Sequence, residues 1–309
     1  MATSEVVPVD EKPVWRKIVD FPLVAMLIAL VTVILAAVLC SIALHAALPA
    51  LKGNDFVIVQ DLLAAVAMVL VYKLFIRHLG DIKRDDLRAA GAARQTLWGL
   101  AAGAGVFALV VAVAAAVGVY RIDGEGSTRN LLLALVASAI FPAVSEELVF
   151  RGILFRWIEE FGGSWAALLL TSAFFGAAHL ANPNASWIAA VGIAFEAGVM
   201  LGAAYMLTRS LWLPMGLHAA WNFTQGEVFD IPVSGTNADG LVEAHLSGPP
   251  LLTGAGFGLE ASLIAIVIAT AFGLWLLWLA IRKDELMQPW WVRRRIGSAP
   301  VVLVGRDVV

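Results

Sequence analysis

The chain has 309 residues, 61% hydrophobic and 15% charged, with a mean hydropathy of +0.85. A soluble domain is nearer half apolar and a quarter charged, so this composition excludes a soluble globular protein and points to an integral membrane protein. The formal net charge of −3 is uninformative alone, nothing in the sequence suggests a nucleic-acid partner, and the single cysteine, Cys40, excludes an intrachain disulfide.

A polar N-terminal tail, 1–20, comes first. About 20 apolar residues cross the hydrocarbon core as a helix. Eight stretches meet or approach that length: 21–48, 56–76, 96–119, 130–160, 164–181, 186–208, 211–224 and 259–281. The first is too long for the apolar region of a signal peptide and is expected to be retained. The fourth turns amphipathic after Arg151, and the seventh is short, so it must tilt or begin inside the protein. The longest connection, 225–258, is rich in Gly, Pro and acids and lacks Lys and Arg. A mobile loop is expected there, with a cap or gate over one face as the alternative. The tail at 282–309 is basic, and its "QPWWVRRR" reads as an interfacial anchor. No repeat recurs at a fixed period. The predicted fold class is an all-α polytopic bundle of about eight transmembrane helices over 21–281.

The basic residues orient this bundle. Lys12, Arg16 and Lys17, the 77–95 loop with Arg77, Lys83, Arg84, Arg88 and Arg94, then Arg151, Arg156 and Arg209, and finally Arg282, Lys283, Arg293, Arg294, Arg295 and Arg306 give 17 on one face. Lys52, Arg121 and Arg129 give 3 on the other, and Lys73 lies inside a span. The positive-inside rule then puts both termini in the cytoplasm, an arrangement that needs an even number of spans. The expected localisation is a multi-pass membrane protein, in the inner membrane if the source is bacterial.

The chemistry starts at "SEELVFRG", 145–152, which continues a run apolar enough for lipid. Charges inside a span are expensive and usually face the bundle interior or water. Glu147 and Arg151 are four apart, on one helix face, and can neutralise each other. Glu146 is rotated about 100° away and has only Val149 and Phe150 at the following helical positions. It is the candidate for acid–base work. "FGAAH" in the fifth span places Phe175 one turn before His179, and "HAAWN" in the seventh places His218 and Asn222 on one face. Pro142 and Pro214 precede Glu146 and His218 by four, where each can kink or start its helix. A free carboxylate, two histidines and an amide can activate water and stabilise an oxyanion. Composition and spacing leave a structural reading equally open, and Glu196 in "IAFEAG" and Asp61 in "VQDLL" read only as structural.

The ordered set EExxxR (Glu146-Glu147 to Arg151), FxxxH (Phe175 to His179) and HxxxN (His218 to Asn222) resembles the CPBP family of type II CAAX prenyl proteases and bacteriocin-processing membrane proteins. The resemblance covers about 130–223 and implies an all-helical intramembrane protease acting on a membrane-associated, CAAX-like protein or peptide. It implies Glu146 as general base, His179 holding the attacking water, His218 and Asn222 stabilising the oxyanion, and Glu147, Arg151 and Phe175 supporting the site. The family is widely called metalloprotease, and a zinc ion would fall to Glu146, His179 and His218. The HExxH of soluble zincins is absent, and water activated by Glu146 without a metal fits the same residues, so no cofactor is favoured. Two further readings are a non-proteolytic immunity or scaffold protein on the same fold and a transporter. The intact site residues weigh against the first, and the lack of repeats against the second.

Overall fold

The computed structural model describes residues 12–127 and 129–297. The beginning of the N-terminal tail and 298–309, with Arg306, lie outside the described residues. A short helix α1 (Val14–Val19) leads into α2 (Pro22–Ala47), α3 (Gly53–Leu74) and α4 (Ala92–Ala116). Strand β1 (Tyr120–Glu125) follows, then α5 (Leu131–Gly162), α6 (Ser164–Ala178), α7 (Trp187–Thr208) and α8 (Trp212–Phe223). Strand β2 (Val242–Leu246), α9 (Leu263–Arg282) and α10 (Trp290–Gly297) complete the chain.

Among the described residues, seven helices are long and apolar enough to cross a membrane. The protein is a multi-pass, nearly all-α membrane bundle. The expected eighth span is α8, whose 12 residues continue through a π turn, Thr224–Val228, and carry the chain from the Arg209 end of the bundle to the cap. It is sheathed by other helices, with Leu213 to His218 and Ala220 to Asn222 all buried. By contrast α2 turns Leu27, Val31, Leu35 and Leu39 outward, as a lipid-facing helix does.

The charged ends explain how the helices close. Lys12 bonds Asp20 at 3.1 Å, and Phe21 meets Trp290 edge-on at 6.4 Å. Phe161, in the last turn of α5, stacks edge-on against Trp291 at 5.8 Å. The N-terminal segment, the end of α5 and the Trp-rich C-terminal segment therefore meet at one end of the bundle. The 77–95 loop joins them: Arg156 donates to Ile82 O at 3.0 Å and Arg84 O at 3.2 Å, and Arg84 pairs with the buried Asp86 at 2.8 Å. Arg209 ties in the α7–α8 turn through Glu159 at 2.5 Å and Glu285 at 3.1 Å.

At the opposite end the mobile loop expected at 225–258 is an ordered cap. Its strand β2 pairs antiparallel with β1, from Tyr120 opposite Leu246 to Glu125 opposite Val242. Ile231, Phe257 and Leu259 are buried beneath it. The Gly, Pro and acid content that suggested mobility serves turns instead: Asp230 accepts from the backbone of Gly240 at 3.0 Å and of Ala244 at 3.1 Å.

Two close approaches set the position of α8 against α4. A Cβ on Gly103 would collide with the carbonyl oxygen of Leu217, and one on Gly216 would crowd the carbonyl oxygen of Thr96. The two backbones touch because neither glycine has a side chain, the usual device where apolar surface burial supplies little drive between helices.

Candidate active site

Two of the three motifs sit beside departures from regular helix geometry. In α5 a π-helical turn, Leu135–Ile140, comes just before Pro142, whose missing N–H cannot close a regular turn. A second π turn, Leu148–Phe155, begins after Glu147 and contains Arg151. Pro214 lies in the first turn of α8, where a backbone N–H has no helical partner to lose. His179 stands at the very end of the α6 span, in the terminal turn His179–Ala181.

The Glu147–Arg151 pair forms as the spacing requires, with guanidinium to Oε1 at 2.9 Å and both side chains fully buried. Arg151 also donates to the carbonyls of Ala197 at 3.2 Å and Gly198 at 3.3 Å, so it clamps α5 to the middle of α7. Its guanidinium lies 4.6 Å from the Phe175 ring centroid, a cation–π contact. Phe175 in turn packs against His179 at 4.7 Å and edge-on to His218 at 6.3 Å.

The same Glu147 oxygen takes a second partner that helix spacing could not show: His218 Nδ1, at 3.0 Å. A carboxylate only accepts, so Nδ1 carries the hydrogen, and in the neutral ring Nε2 is left with a lone pair. His218 Nε2 faces Glu146 Oε2 across 4.0 Å. That oxygen is buried and has no hydrogen-bond partner among the described residues. The Glu146 side chain as a whole keeps 31% exposure, so it borders a route for water or substrate. His179 is fixed in the same manner, its Nδ1 2.7 Å from Phe175 O, with Nε2 left open.

Asn222 donates to Ser138 O at 2.9 Å. One amide hydrogen is thereby committed to holding α8 against α5, and the other is available. His179, His218 and Asn222 line one small cavity of about 20 Å³, together with Trp221, Glu196, Glu260 and Ser234. Sequence reasoning treated Glu196 as structural and did not single out Glu260 or Ser138. The signal for Glu196 was its charge inside a span; the other two are placed only by the tertiary fold.

Each histidine has one ring nitrogen tied to an acceptor and the other free, which is how metal-ligating histidines are prepared and equally how neutral histidines are aimed at a water. Among the described residues no three of His, Cys, Asp and Glu are arranged to hold a metal ion.

Residues 128–224 match the family model of type II CAAX prenyl endopeptidase Rce1-like. All three motifs fall inside that stretch. That stretch is similar to the core of the CPBP family. Comparison with curated proteins and with solved structures finds no match. The match supports, in general, an intramembrane endopeptidase of the CAAX type over this stretch; the substrate and the catalytic steps are finer questions.

Proposed function

We propose that this protein hydrolyses a peptide bond of a membrane-associated protein or peptide, with Glu146 as the base that activates water. The observation that carries this reading is the 4.0 Å gap between Glu146 Oε2 and His218 Nε2. A water donating one hydrogen to each, at about 2.8 Å, spans roughly 4 to 4.5 Å. Its oxygen lone pair then points away from both acceptors, toward the carbonyl to be attacked.

Glu147 and Arg151 support this arrangement by holding His218 in one tautomer. The resemblance gave His218 an oxyanion role, but a neutral ring with hydrogen on Nδ1 cannot donate from Nε2. The oxyanion donor in the resting site is therefore the uncommitted N–H of Asn222, and His218 orients the water alongside Glu146. His179, locked through its Nδ1, closes the opposite side of the cavity. Attack forms the carbon–oxygen bond as Glu146 takes the proton of the water. The bundle end that gathers the basic residues faces the cytoplasm in this reading, and the ordered cap faces the other side.

The test uses purified Glu146→Gln, which keeps shape and removes the base. Its turnover of a membrane peptide found by comparing membranes from wild-type and variant cells should fall at least about 100-fold. Turnover by the folded variant within about threefold of wild type would overturn the assignment of the base.

A further inference from the structure

The cavity beside His179 and His218 has an acidic wall that the hydrolysis just described does not use. Glu196 lies in the π turn Ala194–Gly198 within α7 and is 1% exposed. Neither of its carboxyl oxygens has a hydrogen-bond partner among the described residues. Glu260, in the turn Leu259–Ala261 ahead of α9, is 3% exposed, accepts from the backbone N–H of Ser234, and lies within electrostatic reach of Glu196. Both carboxyls line the cavity shared by His179, His218 and Asn222.

A buried carboxyl without a donor or a cation is a costly feature; Glu147 has Arg151 and His218 on its Oε1, whereas Glu196 has neither oxygen bonded. The cavity volume of about 20 Å³ is enough for one water, which needs two to four polar partners. Glu196 offers two free oxygens for it.

The chemistry of amide hydrolysis calls for a second acid at this place unless protonated Glu146 itself turns from the water to the leaving nitrogen. Water attack sends one proton to Glu146. The carbon–nitrogen bond then breaks only if the nitrogen receives a proton, because an amide anion is too basic to leave. Neutral His179 and His218 have their ring hydrogens committed to Phe175 O and Glu147, and the amide of Asn222 is not an acid. Glu260, outside the spans, is pushed up to about 7 by burial, so the pair of carboxyls can hold a proton at neutral pH.

We propose that Glu196, backed by Glu260, positions the cavity water and through it supplies the proton for the leaving amine. The nitrogen–hydrogen bond forms as the carbon–nitrogen bond breaks, and the proton held by Glu146 returns to the carboxyl pair when products leave. The net reaction is water plus peptide giving acid plus amine, with no other reactant. This inference rests on the protease reading above.

The experiment compares two probes in phosphatidylethanolamine–phosphatidylglycerol vesicles: a farnesylated fluorogenic CAAX peptide and the same peptide with the scissile amide replaced by a thioester. A thiolate leaves without a proton, since its conjugate acid has a pKa of about 8.5. Glu196→Gln should lower kcat on the amide about 100-fold and leave kcat on the thioester within about threefold. Glu260→Gln should act in the same direction with a smaller loss. Retained thioester turnover shows the variant to be folded. Equal losses on both probes would make Glu196 merely structural, and unchanged amide turnover would remove it from the reaction; either result overturns the proposal. Glu146→Gln must lose both activities, so its failure to do so marks the base assignment, and not Glu196, as wrong. A wild-type chain that hydrolyses neither probe overturns the protease reading and this inference together.

Discussion

The pair at the centre of the site makes the sharpest prediction, because stability and activity should separate. Arg151 and Glu147 are each fully buried and 2.9 Å apart. Arg151→Met strands the Glu147 charge, leaving His218 Nδ1 at 3.0 Å as its one remaining partner. Glu147→Leu strands the Arg151 charge, with only the carbonyls of Ala197 and Gly198 left to it. Breaking a buried pair from one side costs about 3–5 kcal/mol. That is a large share of the roughly 5–15 kcal/mol by which a folded domain is stable. The double variant Glu147→Leu/Arg151→Met removes both charges and strands only the His218 N–H, at about 1–3 kcal/mol. Thermal unfolding in detergent should therefore rank the double variant above both singles, with a coupling of at least about 2 kcal/mol in the cycle. Activity should not recover, since His218 has lost the acceptor that fixes its tautomer. Additive destabilisation would refute the pair, and a double variant with wild-type turnover would refute the role given to Glu147.

Three further outcomes follow from other parts of the molecule. In a Cys40→Ser background, Asn237→Cys in the cap should react with an impermeant thiol reagent in intact cells and Ala90→Cys should not; the reverse pattern would invert the topology. Elemental analysis of active, purified protein should show zinc well below one equivalent and activity insensitive to chelator; stoichiometric zinc, with activity lost to chelator and restored by zinc alone, would replace the metal-free mechanism. In the cap, burial and then the neighbouring Asp239 and Asp230 push the Glu227 carboxyl up to about 7. With its folded value above that of the unfolded chain, its contribution to stability is complete below about pH 4.5 and is lost as pH rises through 7. Glu227→Gln should flatten this part of the decline in Tm between pH 5 and 8; a decline as steep as that of wild type would show that Glu227 is not its source.

Local spacing made part of the site legible. Glu147 and Arg151 are four apart on a helix, and the pair forms; Phe175 and His179 share a face, and their rings pack together. What spacing could not show is contact between distant segments. The bond from Glu147 to His218 joins residues 71 positions apart and changes the chemistry, because it determines which ring nitrogen of His218 holds the hydrogen. The cap was misread because Gly, Pro and acids were counted as signs of mobility, while its pairing partner, β1, lies more than a hundred residues earlier. Glu196 was visible as a charge in a span, but its significance depends on Glu260 and on the shared cavity. The eighth span was visible as an apolar stretch, but its continuation to Val228 and its sheathing by protein were not, since a helix surrounded by protein is as apolar as one facing lipid.

The burial of α8 also bears on how the site is held to the tolerance catalysis needs. His218 and Asn222 project from a helix whose flanks are buried in the bundle, so contact with lipid does little to position it. Its position is set instead by contacts along its length: Gly99 and Gly103 of α4 against the backbone around Leu213 and Leu217, and Gly216 against Thr96. Backbone against backbone leaves no flexible side chain to absorb a shift. Asn222 to Ser138 O and His218 to Glu147 then tie the other side of α8 to α5. The helix is held between a rigid glycine contact and two hydrogen bonds, one of them to a carboxylate neutralised by Arg151. A displacement of α8 toward either neighbour would change the 4.0 Å gap in which the attacking water must fit. The glycines of α4, which carry no chemistry, are thus part of what sets the geometry of the reaction.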